Sequence, residues 1–203
     1  MLKLAGELSD GQLADHIAHL DAHTYNWMQT IRAGQYFYPI PVATTAQRSM
    51  VAGTIYAIPF VVSRAITIDR LAIWVKAAGA GGTVARLGIY ADDGDCYPGA
   101  LVVDAGTVAV DAIAVVAAVI NQSLTKGLYW LVIVSDGTPQ IYLGYFAWSL
   151  LGNTATDFST AWVRSQWSKA SVGTGALADP FVSGATAGSL YGYLILPRLA
   201  SLD

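Results

Sequence analysis

The sequence predicts a mainly β protein: a jelly-roll-like β-sandwich preceded by an N-terminal α-helix of coiled-coil character. Three observations carry this. From residue 53 onward, β-branched and aromatic runs of strand length alternate with glycine, proline and aspartate punctuation, the pattern of sandwiches and jelly rolls. Between Ser9 and Ala33 there is no proline, and apolar residues return at alternating spacings of four and three. Charge is scarce: 12% of the 203 residues are charged and 54% are hydrophobic. An ordinary soluble domain carries about 25% charged residues. So apolar an exterior points to coverage by other subunits.

The organisation read from these patterns is an oligomerisation or attachment helix over residues 1–34, an extended neck over 35–52 and the sandwich over 53–203. Leu13, Ile17, Leu20, Thr24, Trp27 and Ile31 fall on the a and d positions of a heptad repeat, with Ser9 and Gln12 as a capping box and Gly34 as the left-handed stop. A stripe this narrow suits packing against copies of itself better than a sheet, which asks for a broader apolar face. The seam therefore predicts packing of this helix against copies of itself, the alternative being a helix docked on its own sandwich. His16, His19 and His23 lie close enough along it to gather imidazoles, but His16 and His23 flank the seam at g-type positions and no thiolate or acidic partner is evident, so no metal is expected. The run Tyr36-Phe37-Tyr38-Pro39-Ile40-Pro41 cannot continue a helix and reads as the rigid neck.

Within the sandwich the predicted strands are Thr54–Val62, Ala65–Ala77, Thr83–Tyr90, Ala100–Val110, Val115–Ile120, Gly127–Ser135, Ile141–Leu150, Ala161–Lys169 and Ser189–Leu196. Ile66, Ile68, Leu71, Ile73 and Val75 alternate with a change of phase near Asp69-Arg70, which predicts a bulge. Both faces of Leu128–Val134 are apolar, as in a central strand covered on each side. The small-residue stretch Ser171 to Gly188 offers few anchoring side chains and reads as long loops exposed at the distal end.

Three stretches together carry a resemblance: Arg86-Leu87-Gly88-Ile89-Tyr90-Ala91-Asp92-Asp93-Gly94, then Tyr97-Pro98-Gly99-Ala100-Leu101 running to Gly106, then Leu124-Thr125-Lys126-Gly127-Leu128-Tyr129-Trp130-Leu131. A strand ends in a polar loop, a Pro-Gly turn follows, and an L-x-x-G-x-Y-W strand returns to the core. The arrangement resembles β-sandwich modules of bacteriophage minor structural, tail-fibre and baseplate-type proteins. That resemblance implies a trimeric appendage subunit located in the virion and assembled in the host cytoplasm beside other virion proteins.

Several function classes find no support. The G-x-S-x-G elbow, phosphate loop, H-E-x-x-H and dinucleotide fingerprints are missing, the histidines all sit in the helix, and no glutamate follows Glu7, so no enzyme and no cofactor are expected. A net charge of −3 without a Lys/Arg cluster gives no nucleic-acid surface. No apolar run reaches membrane-spanning length, and no signal peptide is visible at the start. Cys96 is the lone cysteine and has no basic neighbour to activate it. The loop Asp92-Asp93-Gly94-Asp95 has oxygens for calcium but departs from the EF-hand series and fits an ordinary hairpin loop.

What remains is a cluster of aromatics. Trp162 and Trp167 have opposite strand parity, so one of them should meet solvent, a ligand or a neighbour. With Arg164 and Tyr145 they form the candidate contact for a host-surface glycan, the alternative to a purely structural role. Subunit interfaces enrich the same residue types.

Overall fold

The computed structural model describes residues 32–146, 151, 166–188 and 191–202. The heptad seam Leu13, Ile17, Leu20, Thr24, Trp27 and Ile31 lies outside them, as do Trp162 and Arg164. The described residues contain no helix and fall within a compact unit, Ile31–Asp203.

The described strands are β1 (Val42–Ser49), β2 (Ile55–Val62), β3 (Ile66–Ala77), β4 (Val84–Asp92), β5 (Pro98–Ala109), β6 (Val115–Leu124), β7 (Gly127–Ser135), β8 (Gln140–Phe146), β9 (Gln166–Lys169), β10 (Thr186–Gly188), β11 (Tyr191–Tyr193) and β12 (Leu196–Leu202). They form two six-stranded sheets in which every described pairing is antiparallel. Sheet A runs β1-β8-β3-β12, with β11 added on β8 and β6 on β3; sheet B runs β10-β9-β2-β7-β4-β5.

The alternation seen in the sequence explains which sides meet. Ile68, Leu71, Ile73 and Val75 of β3 are fully buried, and the register of β3 against β6 shifts between Ile68 and Arg70, where the phase change predicts a bulge. From sheet B, Ile58, Leu87, Ile89, Leu131 and Ile133 turn to the same interior. Tyr56 of β2 meets Tyr193 of β11 edge-on across the gap, ring centroids 4.8 Å apart, which fixes the two sheets face to face.

Residues 35–52 are extended as predicted, but they are not a free-standing neck. Val42–Ser49 is a strand of sheet A, paired along its length with β8. Upstream, Gly34 N–H donates to Leu199 O, Leu199 N–H to Gln35 O and Phe37 N–H to Pro197 O, so the lead-in runs beside β12. Phe37 then packs on Phe60, centroids 5.8 Å apart. The segment is thus tied into the β unit, because its backbone groups find partners 91–104 residues away in β8 and 160–165 residues away in β12. The predicted strand Ser189–Leu196 also resolves differently: β11 and β12 flank an irregular pair, Leu194-Ile195, of which Leu194 N–H donates to Tyr142 O.

The segment 171–188 is irregular over most of its length and many of its residues are exposed, as expected, but it is anchored rather than free. Residues 172–182 fold down over the outer face of sheet B, burying Leu177 and Phe181 against Ile55, Ala57, Tyr90, Trp130, Val132 and Val134. This is why both faces of Leu128–Val134 are apolar: β7 is covered by sheet A on one side and by this loop on the other. The anchors the segment lacks are supplied by the sheet beneath it.

Candidate functional site

Two surfaces of the β unit gather the chemistry-bearing side chains: the covered outer face of sheet B and the open outer face of sheet A. On sheet B, Arg86 and Asp104 sit on neighbouring strands with Arg86 Nη1 2.8 Å from both carboxylate oxygens. Arg86 Nε donates to Thr174 O at 2.8 Å, and Asp104 Oδ2 accepts the Leu177 N–H at 3.0 Å. One ion pair thus grips the loop from both polarities. Burial by itself would raise the Asp104 pKa; the Leu177 and Gly106 N–H groups and the Arg86 guanidinium outweigh that and hold it below its ordinary value.

Further along the same loop, Tyr90 Oη donates to Ala178 O at 2.6 Å and Tyr97 Oη to Val182 O at 2.7 Å, while Asp179 Oδ1 accepts the Leu101 N–H. Burial, then the charges of Asp104 and Asp179, push the Tyr90 phenol up to about 12. Gly88 lies directly under Leu177. A Cβ there would stand 2.3 Å from Leu177 Cδ1 and 2.9 Å from Val103 O, so the glycine is needed for close approach of loop to sheet.

Trp167 belongs to this covered face. Its indole N–H donates to Cys96 O at 2.8 Å, and its ring meets Tyr97 edge-on at 4.9 Å, with Tyr97, Phe181 and Tyr90 continuing the chain of rings. Tyr145, placed with Trp167 in the predicted glycan contact, is on β8 of the other sheet, where it pairs with Tyr191. The structure does not bring these two residues onto one surface. The acidic loop is engaged in its own geometry: Asp92 accepts Trp130 Nε1–H and Gly94 N–H, and Asp93 accepts the N–H groups of Asp95 and Tyr97. Among the described residues no group of three metal-ligating side chains is assembled. Burial, then Asp92, Asp95 and Asp93, raise the Cys96 thiol, which keeps it protonated.

The outer face of sheet A is built differently. With Ile73 and Val75 buried, Trp74 between them projects outward and is 39% exposed. Tyr142 on the adjoining strand β8 approaches it to 5.2 Å between centroids, and Lys76 Nζ rests 3.7 Å from the Trp74 ring centroid. Tyr142 Oη donates to Thr45 Oγ1 at 2.7 Å, and Gln47 stands directly opposite Tyr142 on β1. On the other flank, Val115 is the cross-strand partner of Trp74, and Val119 is the partner of Arg70.

No family model, curated protein or solved structure matches this chain. The site is therefore read from its own residues.

Sequence reasoning gave Trp167 and Tyr145 but missed Trp74 and Lys76. The signal was present: in the alternating run Ile73, Val75 the intervening Trp74 has the opposite parity, and a tryptophan on the polar phase of a half-buried strand marks an exposed aromatic.

Proposed function

We propose that this chain is a non-enzymatic structural subunit of a bacteriophage virion: a trimeric fibre or appendage protein in which residues 1–34 assemble or dock and the β unit projects from the particle alongside other virion proteins. The observation that supports this best is the apolar strip left open on sheet A. Ile113, Val115 and Val119 are 69%, 64% and 73% exposed. Val115 and Val119 lie on β6 and Ile113 just before it, and the second edge of β6 pairs with no described strand; branched aliphatics so exposed mark a surface that another protein covers. The low charge of the whole chain points the same way.

The non-enzymatic reading is in keeping with how the described carboxylates are used. Asp69 and Asp104 pair with arginines, Asp111 accepts Gly82 N–H, Asp136 accepts Val84 N–H and Asp179 accepts Leu101 N–H. The jelly-roll-like description of the sandwich belongs to the same proposal and draws support from pairings such as β1 with β8 and β3 with β12, which are remote in sequence. The alternative, a receptor- or carbohydrate-binding module acting through Trp162, Arg164, Trp167 and Tyr145, loses support where the Trp167 N–H is taken up by Cys96 O and Tyr145 lies on the opposite sheet.

Native mass spectrometry of the full chain tests the proposal. A trimer is expected, with Val115→Ser plus Val119→Ser shifting the population toward monomer while the β-type circular dichroism is kept. A wild-type chain that stays monomeric across the micromolar range overturns it.

A further inference from the structure

We propose that the outer face of sheet A carries a binding site for an acidic saccharide, a pyranose chain bearing carboxylates, centred on Trp74 and Lys76. This goes beyond the assembly role: Ile113, Val115 and Val119 take no part in it. The juxtaposition that carries it spans three neighbouring strands. Trp74 offers a partly exposed indole on β3, Tyr142 stands 5.2 Å away on β8, and Thr45 and Gln47 follow on β1. The flat apolar face of a sugar ring stacks on an indole, and its hydroxyls need hydrogen-bonding groups at the rim of that ring. Those groups are present. Tyr142 Oη donates to Thr45 Oγ1, which leaves the Thr45 hydroxyl proton and the Tyr142 oxygen lone pairs for a ligand, and Gln47 is exposed beside them.

The preference for an acidic ligand comes from Lys76. Its ammonium lies over the Trp74 ring at 3.7 Å and 5.7 Å from the Tyr142 ring, and no described carboxylate pairs with it. A cation held at an aromatic face in water is only weakly retained. A ligand carboxylate replaces that contact with a charge-assisted hydrogen bond and frees the indole face for the sugar ring, so one side-chain movement serves both parts of the ligand. A neutral sugar gains the ring contact but must displace the ammonium without returning a partner to it.

The test is saturation-transfer NMR and titration of the full chain with trigalacturonic acid, against maltotriose as the neutral counterpart. The expected result is saturable binding of the acidic trisaccharide at least about tenfold tighter than maltotriose, equivalent to about 1.4 kcal/mol. Trp74→Ala and Lys76→Gln should each weaken it by about tenfold or more, whereas Trp74→Phe and Lys76→Arg keep most of it. A cooperative thermal transition and the wild-type native mass are expected to be kept in Trp74→Ala and Lys76→Gln, which separates a lost site from a lost fold or a lost trimer. Binding unchanged in Trp74→Ala, equal affinity for the two sugars, or no saturation with trigalacturonic acid overturns the proposal. So does loss of binding only in Val115→Ser plus Val119→Ser.

Discussion

The outer faces of the two sheets are made from similar residues and meet opposite fates. On sheet B, Tyr90, Trp130, Val132 and Val134 are sealed under residues 172–182. On sheet A, Trp74, Val115 and Val119 stay open. The difference is not hydrophobicity. It lies in what the polar groups are bonded to: the Arg198–Asp69 pair of sheet A is closed between its own strands. Sheet B presents an Arg86–Asp104 pair and two tyrosine hydroxyls, all bonded to loop backbone groups, so the loop can be buried without orphaned N–H and C=O groups. Sheet A's outer face has Lys76 and Thr45 turned toward Trp74 and Tyr142, with no described segment lying across them. A covered face stabilises the domain; an open apolar face is available to a partner.

The most damaging way to break this contrast is Trp130→Ala. The ring is completely buried and its N–H donates to Asp92, so truncation should cost about 3–5 kcal/mol in urea unfolding. Trp74→Ala on the open face should cost far less, within about 1 kcal/mol, and a similar loss at both positions would erase the distinction. Next in size is Gly88→Ala. The added methyl meets Leu177 and the Val103 carbonyl, so a loss of about 1–3 kcal/mol is expected, together with faster amide exchange over residues 174–178.

Asp104→Asn sharpens the comparison further. It removes the charge that Arg86 and two backbone N–H groups surround, with an expected loss of about 1–2 kcal/mol and earlier proteolysis within the loop. A pH signature follows from the same residue. Its folded pKa lies below the unfolded value of about 3.9, so its contribution is complete above that value and fades as pH falls through the lower, folded pKa. Asp69, lowered chiefly by its hydrogen bond from Arg198, acts in the same direction on sheet A. Acid unfolding of Asp104→Asn should therefore be less steep below about pH 4 than that of the wild type. The smallest effect on stability is expected for Val119→Ser, within about 0.5 kcal/mol, with any change read instead in oligomeric mass.

How far the sequence could be read follows from the range of each cause. The alternation of Ile66, Ile68, Leu71, Ile73 and Val75 fixed both the inward side of β3 and its bulge, because strand parity is a local property. The two-sided apolarity of Leu128–Val134 likewise announced a central strand. The covering element was hidden: the segment Ser171 to Gly188 is poor in anchors, and what holds it are Arg86, Tyr90, Tyr97 and Asp104, distant in the chain. Trp167 illustrates the limit at a single residue. Parity said only that Trp162 and Trp167 point to opposite faces; that the carbonyl of Cys96, 71 residues earlier, takes the Trp167 N–H is set by the fold.

By itself, then, the amino-acid order determined the β class, the strands between residues 54 and 146, the bulge at Asp69-Arg70 and the low charge that leaves apolar surface to be covered, since each depends on near neighbours or on composition. Only the tertiary structure decided which apolar faces are closed. It drew Val42–Ser49 into sheet A beside β8 and laid residues 172–182 over sheet B. It also set Lys76 over Trp74 beside Tyr142 on the neighbouring strand. Each of these outcomes requires hydrogen-bond or packing partners from chain segments far apart in sequence, and no local pattern encodes where those segments meet.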